Sequence, residues 1–164
     1  MKPLILASAS PRRSVLLAKL GMTFSIEPAD VDETPRAGES PEELVARLAR
    51  DKALAGLAAA ASDDVVVLAA DTVVAVDEQI LGKPTDAADA SRMLQLLSGR
   101  SHRVLTGVAV ATASAGRRGP EGSMLGPAPT VSVEVEATRV HMKPWTTDEI
   151  DRYVASGESM DKAG

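Results

Sequence analysis

A chain of 164 residues is the size of one ordinary domain and can bury roughly two thirds of its unfolded surface. With 45% apolar and 25% charged residues it has the balance of a soluble globular protein; its single Trp, Tyr and Phe and net charge of −5 speak against single-stranded or duplex nucleic acid and anionic membrane as partners. No cysteine is present, which excludes a disulfide framework and a thiolate metal site, yet a local cluster of Arg and Lys could still hold a small polyanion.

Leu4 to Ser8 reads as a short buried strand; its apolar run is too short for a signal-peptide core, so the cytoplasm is the expected location. A helix follows at once, with Ser10 as cap, Pro11 at the first position, and an apolar stripe of Val15, Leu16, Leu17 and Leu20 ending at Gly21. Thr23 to Ile26 suggests a second strand and Asp30 to Glu39 a polar loop. Ser40-Pro41-Glu42-Glu43 is a capping box opening a helix to about Ala61, its buried face built from Leu44, Leu48, Ala55 and neighbouring alanines. Val65 to Ala70 reads as an interior strand ending in Asp71-Thr72, and Val73 to Val76 with Ile80-Leu81 as a hairpin. A helix is expected from about Asp86 to Leu97, then two long strands, Arg103 to Thr112 and Thr130 to His141, separated by a mobile Gly- and Pro-rich loop from Ala115 to Pro129. Thr146-Thr147-Asp148-Glu149 caps a last helix that ends near Ser156-Gly157. Alternating strands and helices followed by an antiparallel pair predict an α/β fold with a mixed, twisted sheet. The ending at Gly164, without a closing element, suggests a single domain over 1–164 truncated at its C-terminus.

Four places put charge where a strand meets a loop or helix, the usual location of sites in α/β folds. Ser8-Ala9-Ser10-Pro11-Arg12-Arg13 joins hydroxyls and guanidiniums to a helix N-terminus, a natural phosphate grip, although the same residues suit an ordinary capped helix with solvated arginines. Asp71-Thr72 at a strand end could hold Mg²⁺ or orient a water, or simply cap a turn. Lys83, between Gly82 and Pro84, sits on a stiff loop and could reach a phosphate as a point charge. Glu33 lies in the polar loop, and Lys52 sits among Arg47, Arg50 and Asp51, which also describes a solvated charged face. His102 and His141 have no metal-ligand spacing. Gly82-Lys83 lacks the glycine spacing of a P-loop, no G-x-G-x-x-G follows a strand, and Ser159-x-x-Lys162 stands without its companion motifs.

Taken in order, LASASPRR, VDET, VARLARDKA, LAADTVV, ILGKP, LSGRSHRVLTGVAV and EIDRYVASGESMDKAG give the chain a strong resemblance to the Maf family of nucleotide pyrophosphatases, from Leu4 to Gly164. The resemblance implies a fold shared with the inosine triphosphate pyrophosphatases, with two lobes around a cleft. It also implies hydrolysis of a nucleoside triphosphate to the monophosphate and pyrophosphate with a divalent metal, Mg²⁺ or else Mn²⁺ or Co²⁺, and a homodimer. Carried over by motif, Ser8, Arg12, Arg13, Lys52 and Lys83 would contact the triphosphate, Asp71 would be the catalytic acidic residue, and Glu33 would join Asp71 at the metal. Arg12 and Thr72 stand where the family sets substrate choice, and they resemble the dTTP/UTP branch rather than the 7-methyl-GTP branch. An Asp with a reference pKa of about 3.9 is ionised near pH 7, which suits metal ligation and water orientation better than holding a proton. A nucleotide-binding regulator of cell division or septum formation is the first alternative. A sugar nucleotidyltransferase is the second, disfavoured because Ser8-Ala9-Ser10 lacks a glycine-rich turn.

Overall fold

The computed structural model describes residues 2–62, 64–77, 79–113, 117–118, 124–125 and 129–159. In chain order the elements are β1 (Leu4–Leu6), α1 (Pro11–Lys19), β2 (Ser25–Ile26), α2 (Pro41–Ala59), β3 (Val66–Val76), β4 (Gln79–Leu81), α3 (Ala87–Leu97), β5 (Ser101–Ala113), β6 (Arg117–Arg118), β7 (Met124–Leu125), β8 (Pro129–His141) and α4 (Thr147–Ala155). Six strands form one mixed sheet in the order β2-β1-β3-β5-β8, with β4 also on β3. The β2/β1 and β1/β3 pairings are parallel, and β4, β5 and β8 join antiparallel.

Two sequence expectations change along β3. Asp71-Thr72 does not end a strand: β3 runs unbroken from Val66 to Val76 because β5 pairs with it along that length, from Val66 opposite Thr112 to Ala75 opposite Arg103. Tertiary pairing overrides the weak strand preference of Asp here. The other edge of β3, by contrast, is interrupted. β1 pairs with it only through Leu68, and β4 takes over only at Val74. Between those points the sheet has a notch, and Asp71 and Thr72 lie in it.

Strand alternation divides the two faces. Val67, Ala69, Val73 and Ala75 of β3, with Leu105, Ala109 and Ala111 of β5, face α2 and pack on Leu44, Val45, Leu48, Ala49 and Ala53. Val74 and Val76 face the other way, onto Leu81 and onto Met93 and Leu97 of α3. The molecule thus has two lobes: β1, β2 and α1 flank the notch on one side, β4, α3 and α4 on the other, and α2 lies behind both.

Helix α2 sits unusually close to the sheet. A Cβ on Gly107 would stand 2.2 Å from the Val45 carbonyl oxygen, and one on Gly56 would meet Val67 Cγ1 at 3.0 Å and Ala7 Cβ at 3.1 Å. Gly107 pairs directly with Asp71 across β3 and β5. The helix starts at a complete Ser40–Glu43 capping box, as the sequence indicates, and α4 starts at a second one between Thr146 and Glu149.

Helix α1 departs from expectation. Of its apolar stripe only Leu17 is buried; Val15, Leu16 and Leu20 are exposed. Ser10 occupies the N-cap position but its side chain makes no capping bond, and its own N–H instead donates to Ser8 Oγ at 3.3 Å. The mobile loop expected over 115–129 falls largely outside the described residues; within it, Arg117–Arg118 pairs antiparallel with Met124–Leu125.

The tight seating of α2 predicts that Gly107→Ala lowers unfolding free energy by at least about 2 kcal/mol, since helix backbone must move to admit the methyl group. Gly82→Ala has nothing within 4 Å of its new atom and should stay within about 0.5 kcal/mol of the parent. Urea unfolding of the two variants checks the contrast.

Candidate active site

The notch brings two sets of charges together from opposite faces of β3. On one face the first turn of α1 delivers Arg13, whose guanidinium fills the space a strand would occupy. Its Nη1 donates to the Ala70 carbonyl at 2.7 Å and to Ser8 Oγ at 3.0 Å, while Nη2 donates to Thr72 Oγ1 at 3.2 Å. A carbonyl stranded by the missing strand is thereby satisfied, at the cost of half-burying a cation. Burial lowers the Arg13 pKa, Asp71 opposes that lowering, and Arg12 adds to it. Thr72 Oγ1 also contacts Thr106 Oγ1 of β5 at 3.0 Å.

On the other face Lys52 meets two carboxylates. Its Nζ donates to Asp71 Oδ1 at 2.6 Å and pairs with Glu33 Oε1 at 2.6 Å. Lys52 is buried, not part of a solvated charged face, because it lies on the stripe of Val45, Leu48, Ala49, Ala53 and Gly56 that α2 turns toward the sheet. Burial alone would lower the Lys52 pKa; hydrogen bonds to Asp71 and then Glu33 outweigh it, and the net shift is upward. The ammonium therefore stays charged at neutral pH. Asp71 is buried beside it, whereas the Glu33 side chain, on an irregular loop, is 57% exposed.

That loop is fastened to α2. Arg47 donates from Nε to Glu39 Oε1 at 2.6 Å, and from Nη2 to Glu39 Oε2 at 2.8 Å and to the Thr34 carbonyl at 3.0 Å. Glu39 Oε2 also accepts from the Arg36 N–H at 2.9 Å. The Arg47 bonds, together with the Arg36 N–H, hold the Glu39 pKa down at about 2.

Arg13, Thr72, Lys52, Asp71 and Glu33 open onto one cleft of about 880 Å³, whereas the Arg47–Glu39 pair lies outside it. Its walls include each residue singled out from the sequence: Ser8, Arg12, Arg13, Glu33, Lys52, Asp71, Thr72 and Lys83. Ser8 is buried at the turn, Arg12 and Lys83 are exposed at its two sides, and Leu16, Leu44, Leu48, Leu68, Ile80 and Val108 supply apolar wall. Sequence reasoning missed Thr106, Arg47 and Glu39. Thr106 carries a signal in hindsight: it is a polar residue on the face of β5 that strand alternation shares with Val104 and Val108. His102 stays outside the site; it is buried on β5, and its Nδ1 has no hydrogen-bond partner among the described residues.

The motif order that these residues follow has a counterpart in known proteins. A family model described as Maf-like protein matches residues 3–164. The chain belongs to the Maf family. It is 47% identical over 161 residues to a protein of Koribacter versatilis (strain Ellin345) named dTTP/UTP pyrophosphatase, an alignment covering 98% of this chain and 75% of the relative. A protein of the same name from Pelotomaculum thermopropionicum is 46% identical over 164 residues, covering 100% of this chain and 78% of that protein. Among solved structures, a nucleoside-triphosphatase / dITP/XTP pyrophosphatase from Mycobacterium abscessus aligns with a TM-score of 0.45 and 19% identity, over 85% of this chain and 73% of that chain. Among the described residues of this Maf protein, no helix is long and apolar enough to cross a membrane.

Two outcomes follow from the site's electrostatics. Lys52→Met leaves the buried Asp71 without its counter-ion and should cost about 3 kcal/mol in urea unfolding at pH 7. The double variant with Asp71→Asn should cost less than the sum of the two singles. Glu39, with a folded pKa of about 2 against 4.5 unfolded, stabilises the fold fully above pH 4.5 and loses that contribution as pH falls toward 2. The stability gap between parent and Glu39→Gln should therefore be flat above about pH 5 and narrow below pH 4.5.

Proposed function

We propose that this Maf protein hydrolyses nucleoside triphosphates, dTTP and UTP foremost, to the nucleoside monophosphate and pyrophosphate, a house-cleaning activity on surplus or modified pyrimidine nucleotides. The observation that carries the reading is the notch itself: it sets carboxylates, an ammonium and a guanidinium-bearing helix start around one cleft sized for a nucleotide. Relatives at 46–47% identity named dTTP/UTP pyrophosphatase support the substrate class. The reading includes work in the cytoplasm as a homodimer, as the family resemblance implies.

Phosphoryl transfer asks a protein mainly for positioning and charge neutralisation. Ser8 and Arg12 flank the start of α1, whose first turn is not capped by the Ser10 side chain, Lys83 lines the same cleft, and the three would grip the phosphate chain. Arg13, committed to Ser8, Ala70 and Thr72, holds that turn in shape and lends its charge from behind. Asp71 and Glu33 fit a hard divalent cation such as Mg²⁺, Mn²⁺ or Co²⁺: two carboxylates already converge on one point, and magnesium commonly takes one or two carboxylates with substrate phosphates completing its shell. Such a cation, when bound, would neutralise charge on the phosphate oxygens. Lys52 shares both carboxylates and would release one to turn its ammonium toward phosphate. Asp71 would orient the attacking water, whose oxygen bonds to phosphorus as the anhydride between the α- and β-phosphates breaks; pyrophosphate leaves and the water's proton passes to solvent. Arg12 and Thr72 would help select the base.

Incubation with dTTP or UTP and Mg²⁺ should release pyrophosphate and the monophosphate in equal amounts. Asp71→Asn should lower kcat/KM by about 10²–10⁴-fold. Release of orthophosphate alone, or no turnover across a panel of triphosphates, would overturn the reading.

A further inference from the structure

Glu33 raises a positioning problem. It is a long side chain on a loop without regular structure, more than half exposed, and its carboxylate is nonetheless held 2.6 Å from Lys52 Nζ. Fixing such a chain by one ion pair alone would cost rotamer entropy comparable to what an exposed pair returns. The loop backbone must therefore be held from elsewhere.

Arg47 supplies the hold. Its fork onto Glu39 ties the far end of the loop to α2, and its third bond takes the carbonyl of Thr34, the residue next to Glu33. The Thr34 N–H in turn donates to Asp32 Oδ1 at 2.9 Å, which closes a short turn around Glu33. Between Arg36 and Glu39 the chain reverses through Gly38, whose φ of 76° suits glycine, with the Glu39 N–H donating to the Arg36 carbonyl at 3.1 Å. The ion pair is well shielded, with side-chain exposures of 13% for Arg47 and 8% for Glu39. Arg47 and Lys52 belong to the same helix, so one rigid body carries both the loop's anchor and the cation that Glu33 reaches.

We propose that Arg47, through Glu39 and the Thr34 carbonyl, is the positioning residue that keeps Glu33 in the active site. Arg47 itself touches no reacting atom. The inference rests on the pyrophosphatase reading only for its kinetic test.

Arg47→Ala should raise hydrogen exchange of the amides of residues 33–39 by about fivefold or more, while the amides of β3 stay protected. With dTTP and Mg²⁺ it should lower kcat/KM about tenfold. In a Glu33→Gln background the same change should cost less than about twofold, because the group being positioned is already lost. Equal losses in both backgrounds, or unchanged loop exchange, would overturn the proposal. Arg47→Lys, which keeps the charge and loses the fork, carries the same comparison if Arg47→Ala does not fold. Should the parent turn over no triphosphate, the pyrophosphatase reading fails by itself. The positioning role is then decided by Mn²⁺ titration: affinity about tenfold weaker in the Arg47 variant supports it, and unchanged or absent binding overturns it.

Discussion

The structure depends on how closely α2 lies against the sheet opposite Asp71. Gly107 is the strand partner of Asp71, and the absence of a side chain there lets the Val45 carbonyl descend to a distance no Cβ would permit. Seven residues further along the same helical stripe, Lys52 arrives at the Asp71 carboxylate. A long cation on a helix normally extends toward water. Here the helix is so low that the ammonium reaches its partner within the protein, and burial makes each charge depend on the other. Small residues at Ala49, Ala53 and Gly56 continue the contact, so the position of Lys52 is fixed by steric fit along α2 and not by its own flexibility.

Much of this was legible from residues alone. Ser40 and Thr146 announced their helices through capping boxes whose two bonds both form, and Asp86 caps α3 by accepting from the Asp89 N–H. Ser8, Arg12, Arg13, Asp71 and Lys83 stand out as candidates at junctions rich in donors or carboxylates, whereas Glu33 and Lys52 take a role only through the family resemblance. Lys52 was nearly misread: its neighbours Arg47, Arg50 and Asp51 suggest a charged face, yet period 3.6 puts it with Val45, Leu48 and Gly56 on the buried one. The side-chain type pointed to solvent while the periodicity pointed to the core, and packing decided for the periodicity.

What could not be read shares one cause, the absence of any local signal for a distant partner. Asp71-Thr72 resembles a strand end until β5 is known to pair straight past it. The stripe of α1 states that the helix is amphipathic, and not how much of that face something will cover; Leu16 and Leu20 remain in the open. Arg47 and Glu39 stand eight residues apart across a loop–helix junction, too far for any helix-surface pairing rule. Their meeting follows from the reversal at Gly38, which the sequence marks only as part of a polar loop.

The notch in the sheet ties these features to chemistry. Asp71 and Thr72 are consecutive in an extended strand and so point to opposite faces; in the middle of a continuous sheet no single ligand could touch both. Because the β1 pairing stops at Leu68 and the β4 pairing begins at Val74, the edge between them admits side chains instead of a strand, and one cleft is lined by both Asp71 and Thr72. Leaving an edge open strands backbone groups, and the Ala70 carbonyl would be one of them. Arg13 closes that account with its guanidinium while holding Ser8 and Thr72 in place. The group that repairs the sheet is thus the same group that brings positive charge to the cleft. Replacing it by a neutral side chain would remove both functions, so stability and phosphate affinity should fall together at this position.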